Sequence, residues 1–242
     1  MIKHIKTVDI NYIEYGKGDD IVLLHGWGQN IEMMKPVGDK LDGHIVILDL
    51  PGYGLSTEPD SVWTIYDYVE LLHEFLNSIN IDNPILIGHS FGGKISLAYA
   101  SKYKVNKLIL FASPFKKGIE KMPLKTKILK AAKKIPVLNK LEGFAKRHIG
   151  STDYKNATDT MRKILVETVN LDIRDDIKKI KCPTFIFWGT NDEAVPVNDA
   201  YELESLIKDS GLVVYDGCTH YAYLEMLPNV IKVIKVFLKG DK

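Results

Sequence analysis

Short, continuously apolar runs alternate with amphipathic stretches along most of this chain. Runs that are apolar throughout are typical of strands covered on both faces, as in a parallel sheet with helices packed on either side. Their alternation with helical patterns predicts repeated βαβ units and a mostly parallel central sheet. The predicted strands of this kind are Ile21–His25, His44–Leu50, Pro84–Gly88, Lys107–Ala112, Thr184–Trp188 and Leu212–Tyr215.

Helical patterns follow several of these strands, and a hairpin precedes them. Residues His4–Thr7 and Asn11–Tyr15 alternate in character, which favours an antiparallel edge and brings the predicted sheet to about eight strands. Apolar residues recur at helical spacing in the segments between the later strands. The predicted helices are Ile31–Leu41, Tyr66–Ile79, Phe91–Tyr103, Asp199–Ile207 and Pro228–Leu238.

The alternation stops between Pro114 and about Lys181. This segment has no good strand and carries several helical patterns before it ends at Cys182-Pro183. We therefore predict a helical lid inserted into the sheet domain. The expected division is a first core part at residues 1–114, the lid at 115–181 and a second core part at 182–242.

Composition argues against several classes of function. The net charge of +1 gives the whole molecule no field suited to nucleic acid. The two cysteines, Cys182 and Cys218, make no disulfide framework, and no Cys/His cluster has the spacing of a zinc site. No signal-peptide h-region follows the N-terminus, and no apolar run approaches the roughly 18 residues that span a bilayer. We therefore expect a soluble cytoplasmic protein.

The most informative short motif is Gly88-His89-Ser90-Phe91-Gly92-Gly93. It fits G-x-S-x-G between a predicted strand and a predicted helix, which is the context of a nucleophile elbow. Such a turn exposes the serine hydroxyl, and the amides at the start of the following helix favour negative charge nearby. The alternative is a glycine-rich turn in which Ser90 only caps the helix. The strand–turn–helix context favours the nucleophile.

A serine hydroxyl is a poor nucleophile at neutral pH and needs an adjacent base. We predict His220 as the base and Asp192 as the acid that orients it. Each follows a predicted strand, and serine, acid, histidine is the chain order that accompanies such elbows. Asn191 and Glu193 stay open as alternatives to Asp192, which could also be a turn residue or a cap. His220 could be a solvated loop histidine, but the other six histidines are less suitably placed.

Two backbone N–H groups are expected to form an oxyanion hole for the negative charge that develops on the substrate. One belongs to Phe91, the residue after the nucleophile. The other should come from the loop His25–Gln29, which follows the first long predicted strand. Within that loop we predict the N–H of Trp27, whose ring could pack in the core while its amide binds the oxyanion.

Together these motifs resemble the α/β-hydrolase superfamily, in particular lid-bearing serine carboxylesterases. The resemblance covers nearly the whole chain outside the lid. It includes Asp49–Ser56, which looks like the family's D-x-x-G-x-G-x-S loop and is usually structural. That loop and His25–Asn30 look especially like the methyl ester hydrolases that act on pimeloyl-acyl carrier protein. Those enzymes typically carry Trp before the serine, where this chain has His89.

This resemblance implies an α/β-hydrolase fold and a catalytic triad of Ser90, His220 and Asp192. The expected enzyme is a serine hydrolase that cleaves a small-molecule acyl ester or thioester through an acyl-enzyme intermediate, with no cofactor and no metal. Carbon–carbon bond hydrolysis, acyl transfer and peptide cleavage would use the same triad. The alternative from another class is a catalytically idle protein of this fold that binds a small ligand.

The predicted lid is strongly basic. Residues 116–147 contain ten lysines and one arginine against Glu120 and Glu142, a net charge of +9. Lysines flank an apolar stripe at helical spacing, which indicates a basic amphipathic helix. Such a helix could bind an acidic partner such as acyl carrier protein, or anionic lipid. We favour the simpler interpretation, a solvated outer face whose apolar stripe packs over the active site.

Overall fold

A single eight-stranded sheet organises the computed structural model, which describes residues 1–117 and 157–240. The strand order across the sheet is β1-β2-β4-β3-β5-β6-β7-β8. The strands are β1 (Ile2–Ile5), β2 (Val8–Gly16), β3 (Asp20–Leu24), β4 (His44–Leu48), β5 (Ile85–His89), β6 (Lys107–Phe111), β7 (Thr184–Gly189) and β8 (Ser210–Tyr215).

Strand direction changes only at the N-terminal edge of the sheet. The pairings β1–β2 and β2–β4 are antiparallel, whereas every pairing from β4 through β8 is parallel. The predicted hairpin and the mostly parallel sheet are therefore confirmed. Because β3 and β5 to β8 run in the same direction, their carboxyl ends meet at one edge, where open α/β sheets bind their ligands.

Helices flank this sheet. Alternate residues of the central strands join two separate apolar clusters, since successive side chains of a strand point to opposite faces. Val22 and Leu24 belong to one cluster, and Ile21 and Leu23 to the other. The helices in the described residues are α1 (Ile31–Gly38), α2 (Ile65–Ser78), α3 (Phe91–Lys102), α4 (Asp159–Asn170), α5 (Arg174–Ile177), α6 (Val197–Leu206), α7 (Ala222–Glu225) and α8 (Leu227–Lys239).

Some element ends differ from the sequence-based prediction for identifiable reasons. The strand predicted to reach Leu50 ends at Leu48, because the N–H of Leu50 donates to the His25 ring (2.9 Å) and not to a neighbouring strand. The helix predicted to reach Leu41 ends at Gly38. Beyond Gly38 the N–H groups of Lys40 and Leu41 donate to the carbonyls three residues back, those of Val37 and Gly38, so the chain continues in tight turns and not as an α-helix. These shifts leave the order of elements unchanged.

The last part of the predicted lid lies against the core. Met161 and Ile164 of α4, and Ile177 of α5, are buried in the apolar cluster that also contains residues of α2 and α3. The proposed lid boundaries at 115 and 181 stay a prediction, because most of the lid, including its basic helical pattern, lies outside the described residues. Within residues 1–117 and 157–240, no helix is long and apolar enough to cross a membrane.

Candidate active site

Ser90 lies in the sharp turn between β5 and α3. Its φ of 52° and ψ of −111° place an L-residue in a strained backbone conformation. The N–H of Ser90 donates to the carbonyl of Phe111 at the end of β6 (2.9 Å). The N–H of Gly92 donates to the carbonyl of His25 just after β3 (3.0 Å). The turn is thus held against the strands on both sides of β5.

Glycine is required on both sides of this turn because helix and sheet approach closely. A Cβ on Gly88 would lie 2.6 Å from the Cα of Gly93. A Cβ on Gly92 would lie 2.5 Å from the carbonyl oxygen of Leu24. Both contacts are with backbone atoms, so a side chain at either position would push α3 away from the sheet.

The Ser90 side chain does not cap α3. Ser90 occupies the N-cap position, but its hydroxyl makes no capping hydrogen bond, unlike Thr64 at the start of α2. The residue is 8% exposed. If Ser90 were only a helix cap, its hydroxyl would accept a hydrogen bond from an N–H in the first turn of α3, and it accepts none.

Asp192 and His220 form a buried pair at the same edge of the sheet. Asp192 follows β7 and His220 follows β8, and Nδ1 of His220 donates to Oδ2 of Asp192 (2.7 Å). Their side chains are 0% and 2% exposed. The other carboxylate oxygen of Asp192 accepts from the N–H groups of Ala194 and Val195, both at 2.8 Å. With its proton on Nδ1, a neutral His220 has a free lone pair on Nε2 to accept another proton.

The two residues left open beside Asp192 make different contacts. Asn191 donates from its side chain to the carbonyl of Gly217 (3.1 Å) and supports the loop after β8. Glu193 is exposed. The residue that the structure brings to His220 is therefore Asp192.

His89 connects the Ser90 turn to the His220 loop. Its Nε2 lies 3.1 Å from the carbonyl oxygen of His220, and the two rings are 4.9 Å apart between centroids. Because His89 immediately precedes Ser90, this contact brings the His220 loop beside the turn. Ser90, His220 and Asp192 thus gather at the carboxyl edge of the sheet.

The environment of His89 was not anticipated from the sequence. Burial lowers the pKa of His89 well below its ordinary value, and the neighbouring His220 lowers it further. The neutral ring has one N–H, yet its two nitrogens face two acceptors, the His220 carbonyl and Oε1 of Gln29 (3.2 Å). Both partners are distant in the chain, so no local pattern indicates them.

The N–H groups predicted for the oxyanion hole donate to no described residue. This holds for both Trp27 and Phe91. By contrast, the N–H of Gly26 donates to Oε1 of Gln29 (2.8 Å), and that of Gly92 donates to the His25 carbonyl. The bond between Gly92 and His25 also holds the two loops together. Two backbone donors without a partner in the described part of the chain therefore lie on adjoining loops, one of them at the start of α3.

The rings around these donors pack edge to face. The Trp27 ring lies 5.3 Å from that of Phe91 and 5.3 Å from that of Tyr53, between centroids. Tyr68 of α2 also packs against Phe91, at 5.1 Å between centroids. The Trp27 side chain thus packs against its neighbours, as its alternative interpretation suggested, and its N–H has no acceptor within residues 1–117 and 157–240.

His25 has a structural role. Its Nε2 accepts from the N–H of Leu50, and its Nδ1 donates to the carbonyl of Gly26 (2.7 Å). Burial lowers the pKa of His25 to about 4, so the ring is neutral near pH 7. With both nitrogens engaged, His25 is not available as a base.

The Asp49–Ser56 loop is also structural. The carboxylate of Asp49 accepts from the N–H of Ile31 (2.8 Å), the N–H of Leu55 (2.9 Å) and the amide of Asn11 (2.8 Å). These bonds fasten the loop after β4 to the start of α1 and to β2. They agree with the structural role that the resemblance implied.

Glu225 supports the residue next to His220 and was missed by sequence reasoning. One oxygen of its carboxylate accepts from the N–H of Thr219 (2.8 Å), and the other accepts from the Thr219 hydroxyl (2.7 Å). Glu225 ends α7, a helix of only four residues that is too short to show a periodic pattern. The hydrogen bonds between Glu225 and Thr219 can therefore be recognised only in the folded structure.

Other candidates for chemistry at this edge are weaker. Burial raises the pKa of the Cys218 thiol to about 11, so it is protonated near neutral pH and a poor nucleophile. No group of three or more His, Cys, Asp or Glu side chains in residues 1–117 and 157–240 is placed to hold a metal ion.

Comparison with known proteins identifies the family and agrees with the fold. The model of the alpha/beta hydrolase family matches residues 21–230. The chain is 28% identical to a 2-hydroxy-6-oxo-6-(2'-aminophenyl)hexa-2,4-dienoic acid hydrolase of Metapseudomonas resinovorans, over 90% of this chain and 83% of that protein. It is 30% identical to a pimeloyl-[acyl-carrier protein] methyl ester esterase of Pseudoalteromonas atlantica, over 86% and 90%. Among solved structures, a serine hydrolase involved in carbazole degradation superposes with a TM-score of 0.74 and 26% identity, over 97% and 96%.

Proposed function

This chain belongs to the alpha/beta hydrolase family, and from that premise we propose that it cleaves a carboxylic ester or thioester through an acyl-enzyme intermediate on Ser90. The observation that carries the proposal is the buried pair of His220 and Asp192, 2.7 Å apart at the sheet edge where the strained Ser90 turn lies. A buried carboxylate that holds one nitrogen of a histidine leaves the other nitrogen to act as a base.

In the proposed reaction, Nε2 of His220 removes the Ser90 proton as Oγ attacks the substrate carbonyl carbon. Asp192 holds the imidazole in the required tautomer and stabilises its charged form. The N–H groups of Trp27 and Phe91 bind the tetrahedral oxyanion, and the loss of one such donor typically costs about 10²–10³ in rate. His220 then protonates the leaving alcohol or thiol, and water, activated by the same base, releases the acid. The reaction requires no cofactor and no metal.

Ser90→Ala tests this proposal directly. The variant should lose hydrolysis of p-nitrophenyl butyrate by a factor on the order of 10⁴ or more, since removal of the nucleophile leaves only the binding groups and the oxyanion donors. Its thermal unfolding should stay close to that of the wild type, because the hydroxyl makes no capping bond.

Ser101→Ala is the matched control for this experiment. Ser101 lies in the same helix, and its hydroxyl donates to the carbonyl of Ala98 away from the turn. Wild-type-like turnover by Ser90→Ala would overturn the proposal. Stoichiometric acylation of Ser90 in the wild type without further turnover would favour the idle ligand-binding alternative.

Hydrolysis of a carbon–carbon bond is the second candidate function. It is favoured by the likeness to the dienoic acid hydrolase of Metapseudomonas resinovorans, whose named substrate contains no ester. The same Ser90, His220 and Asp192 would serve either reaction. Parallel assays of wild-type protein with acyl esters of increasing length and with a 2-hydroxy-6-oxo-dienoic acid separate the two, and the preferred substrate has the higher kcat/KM.

A further inference from the structure

Tyr53 packs against the side chains of the two residues that carry the proposed oxyanion donors. It lies in the loop after β4, and its ring packs edge-on against Trp27 at 5.3 Å and against Phe91 at 6.2 Å. It also contacts the ring of His25, 5.5 Å away between centroids. The tyrosine therefore contacts both residues whose N–H groups have no partner among the residues that the structure describes.

The hydroxyl of Tyr53 is buried and has no hydrogen-bond partner in the described residues. Burial raises the pKa of this phenol well above its ordinary value, so it stays an O–H donor at every pH at which the enzyme would be assayed. A buried hydroxyl without a partner is costly and is rare in folded proteins. Such a group beside a proposed reaction centre indicates a partner that arrives with the substrate.

Tyr68 shows that the surroundings do not force a tyrosine hydroxyl to stay unpaired. Its ring packs on the same Phe91, at 5.1 Å, and the residue is 1% exposed. Its hydroxyl donates to the carbonyl of Pro51 (3.2 Å). Both tyrosines thus pack on one ring, and of the two only Tyr53 has a hydroxyl without an acceptor among the described residues.

We propose that the Tyr53 hydroxyl donates a hydrogen bond to a second oxygen of the substrate, close to the carbonyl that Ser90 attacks. The carbonyl oxygen itself would already be held by the N–H groups of Trp27 and Phe91, so a third donor beside them fits a different oxygen. A purely hydrocarbon chain at this point would leave the hydroxyl unpaired. The preferred substrates are therefore oxygenated acyl esters that carry an ether, hydroxyl or carbonyl group near the scissile bond.

This inference rests on the proposed ester hydrolysis and is tested with isosteric substrates. On the acyl side, p-nitrophenyl methoxyacetate is compared with p-nitrophenyl butyrate, from which it differs by an oxygen in place of one methylene. On the alcohol side, 2-methoxyethyl acetate is compared with butyl acetate. In at least one pair, Tyr53→Phe should lower kcat/KM for the oxygenated member about 3- to 10-fold more than for the hydrocarbon member, as expected for one neutral hydrogen bond. The pair that responds tells on which side of the carbonyl the oxygen binds.

Tyr68→Phe is the matched control. It removes a hydroxyl that is paired with the Pro51 carbonyl, so it should lower the thermal midpoint and leave the substrate ratios unchanged. Tyr53→Phe should leave the midpoint unchanged or raise it, because no protein partner is lost. If Tyr53→Phe lowers kcat/KM equally for both members of both pairs, or not at all, the inference is overturned while ester hydrolysis stands. If the wild type hydrolyses none of the four esters, both proposals fail.

Discussion

At the scale of single residues, chemistry at this site depends on which atom of His220 holds the proton. Asp192 accepts from Nδ1 of His220 with one oxygen and from two backbone N–H groups with the other. These three bonds hold the carboxylate in place and favour the tautomer with a free Nε2. Glu225, through Thr219, braces the backbone next to the histidine. The imidazole is thus oriented by contacts to both its ring and its loop.

Asp192→Asn should lower kcat for ester hydrolysis by about 10⁴ near pH 7, as the loss of this carboxylate does in other triads. The Asn amide can donate to Nδ1, which favours the tautomer with its proton on Nε2 and removes the acceptor for the Ser90 proton. The Asn carbonyl can still accept from Ala194 and Val195, so thermal unfolding should change little. Steady-state kinetics with p-nitrophenyl butyrate, together with a melting curve, check both expectations.

Glu193→Gln is the control for that variant, because Glu193 was the neighbouring carboxylate that the sequence left open. Its kcat should stay within about 3-fold of wild type, as is usual for exposed substitutions away from the site. A larger loss of kcat in Glu193→Gln than in Asp192→Asn would transfer the role of the acid to Glu193.

At the scale of elements, α3 joins the Ser90 turn to the segment that follows the predicted lid. Lys94 of α3 is 1% exposed, and its Nζ donates to the carbonyls of Thr168 (2.7 Å) and Leu171 (2.5 Å) at the end of α4. A cation at the carboxyl end of a helix interacts favourably with the helix dipole. The helix that begins at the proposed nucleophile is therefore also an attachment point for α4.

Lys94→Met should change how the free energy of unfolding depends on pH. Burial lowers the pKa of Lys94 to about 8, whereas an unfolded lysine titrates near 10.4. Between about pH 8 and 10 the unfolded chain binds more protons at this position than the folded chain does, so the free energy of unfolding rises with pH in that window. Methionine removes this titration. The difference in unfolding free energy between wild type and variant should therefore shift in favour of the wild type from pH 8 to 10, as measured by urea denaturation.

Lys102→Met provides the comparison within the same helix. Lys102 is exposed and pairs with Glu70, which raises the pKa of the lysine above its ordinary value. Its contribution is consequently constant between pH 8 and 10. An equally flat difference for Lys94→Met across that range would contradict the assignment of a lowered pKa to Lys94.

At the scale of the whole molecule, charge is divided unevenly along the chain. Residues 116–147 carry a net charge of +9 in a protein whose total is +1, which leaves −8 on the remainder. Lys116, at the start of this segment, pairs with Asp199 (3.1 Å) and with Glu202 of α6. Most of the other basic residues lie outside the described part of the chain. The pairing of Lys116 with acidic residues of α6 supports the interpretation that the positive charge of this segment is compensated within the protein. It is evidence against a face that docks an acidic partner.

Reversing three of these charges separates internal compensation from partner binding. If the charges are compensated internally, Lys130→Glu, Lys133→Glu and Lys134→Glu together should lower the thermal midpoint at low salt, and less so at high salt. KM for acyl-carrier-protein-linked esters and for small free esters should then change equally. A selective rise in KM for the carrier-linked ester would instead support docking of acyl carrier protein. Reversal of the exposed Lys40, Lys104 and Lys208 controls for net charge.

Much of the fold follows from local patterns. The hairpin, the parallel strands and the helices after them were predicted within a few residues, because hydrophobic period and glycine-rich turns are local properties. The errors arise where a contact with a distant residue, or an element of very few residues, leaves no local pattern. The strand after α1 ends early because the Leu50 N–H meets the His25 ring, and α7 is too short to leave a periodic trace.

The sequence by itself determined the fold family and the candidate residues Ser90, Asp192 and His220, because a strand–turn–helix motif and the ends of apolar runs can be read from neighbouring residues. Only the tertiary structure decided that Asp192, and not Glu193, meets His220, and that the Ser90 hydroxyl does not cap its helix. It alone also revealed that the hydroxyl of Tyr53 is buried with no partner in residues 1–117 and 157–240. The physical reason is the same in each case. Hydrogen bonds between residues far apart in the chain exist only after parallel strands bring their carboxyl ends to one edge of the sheet.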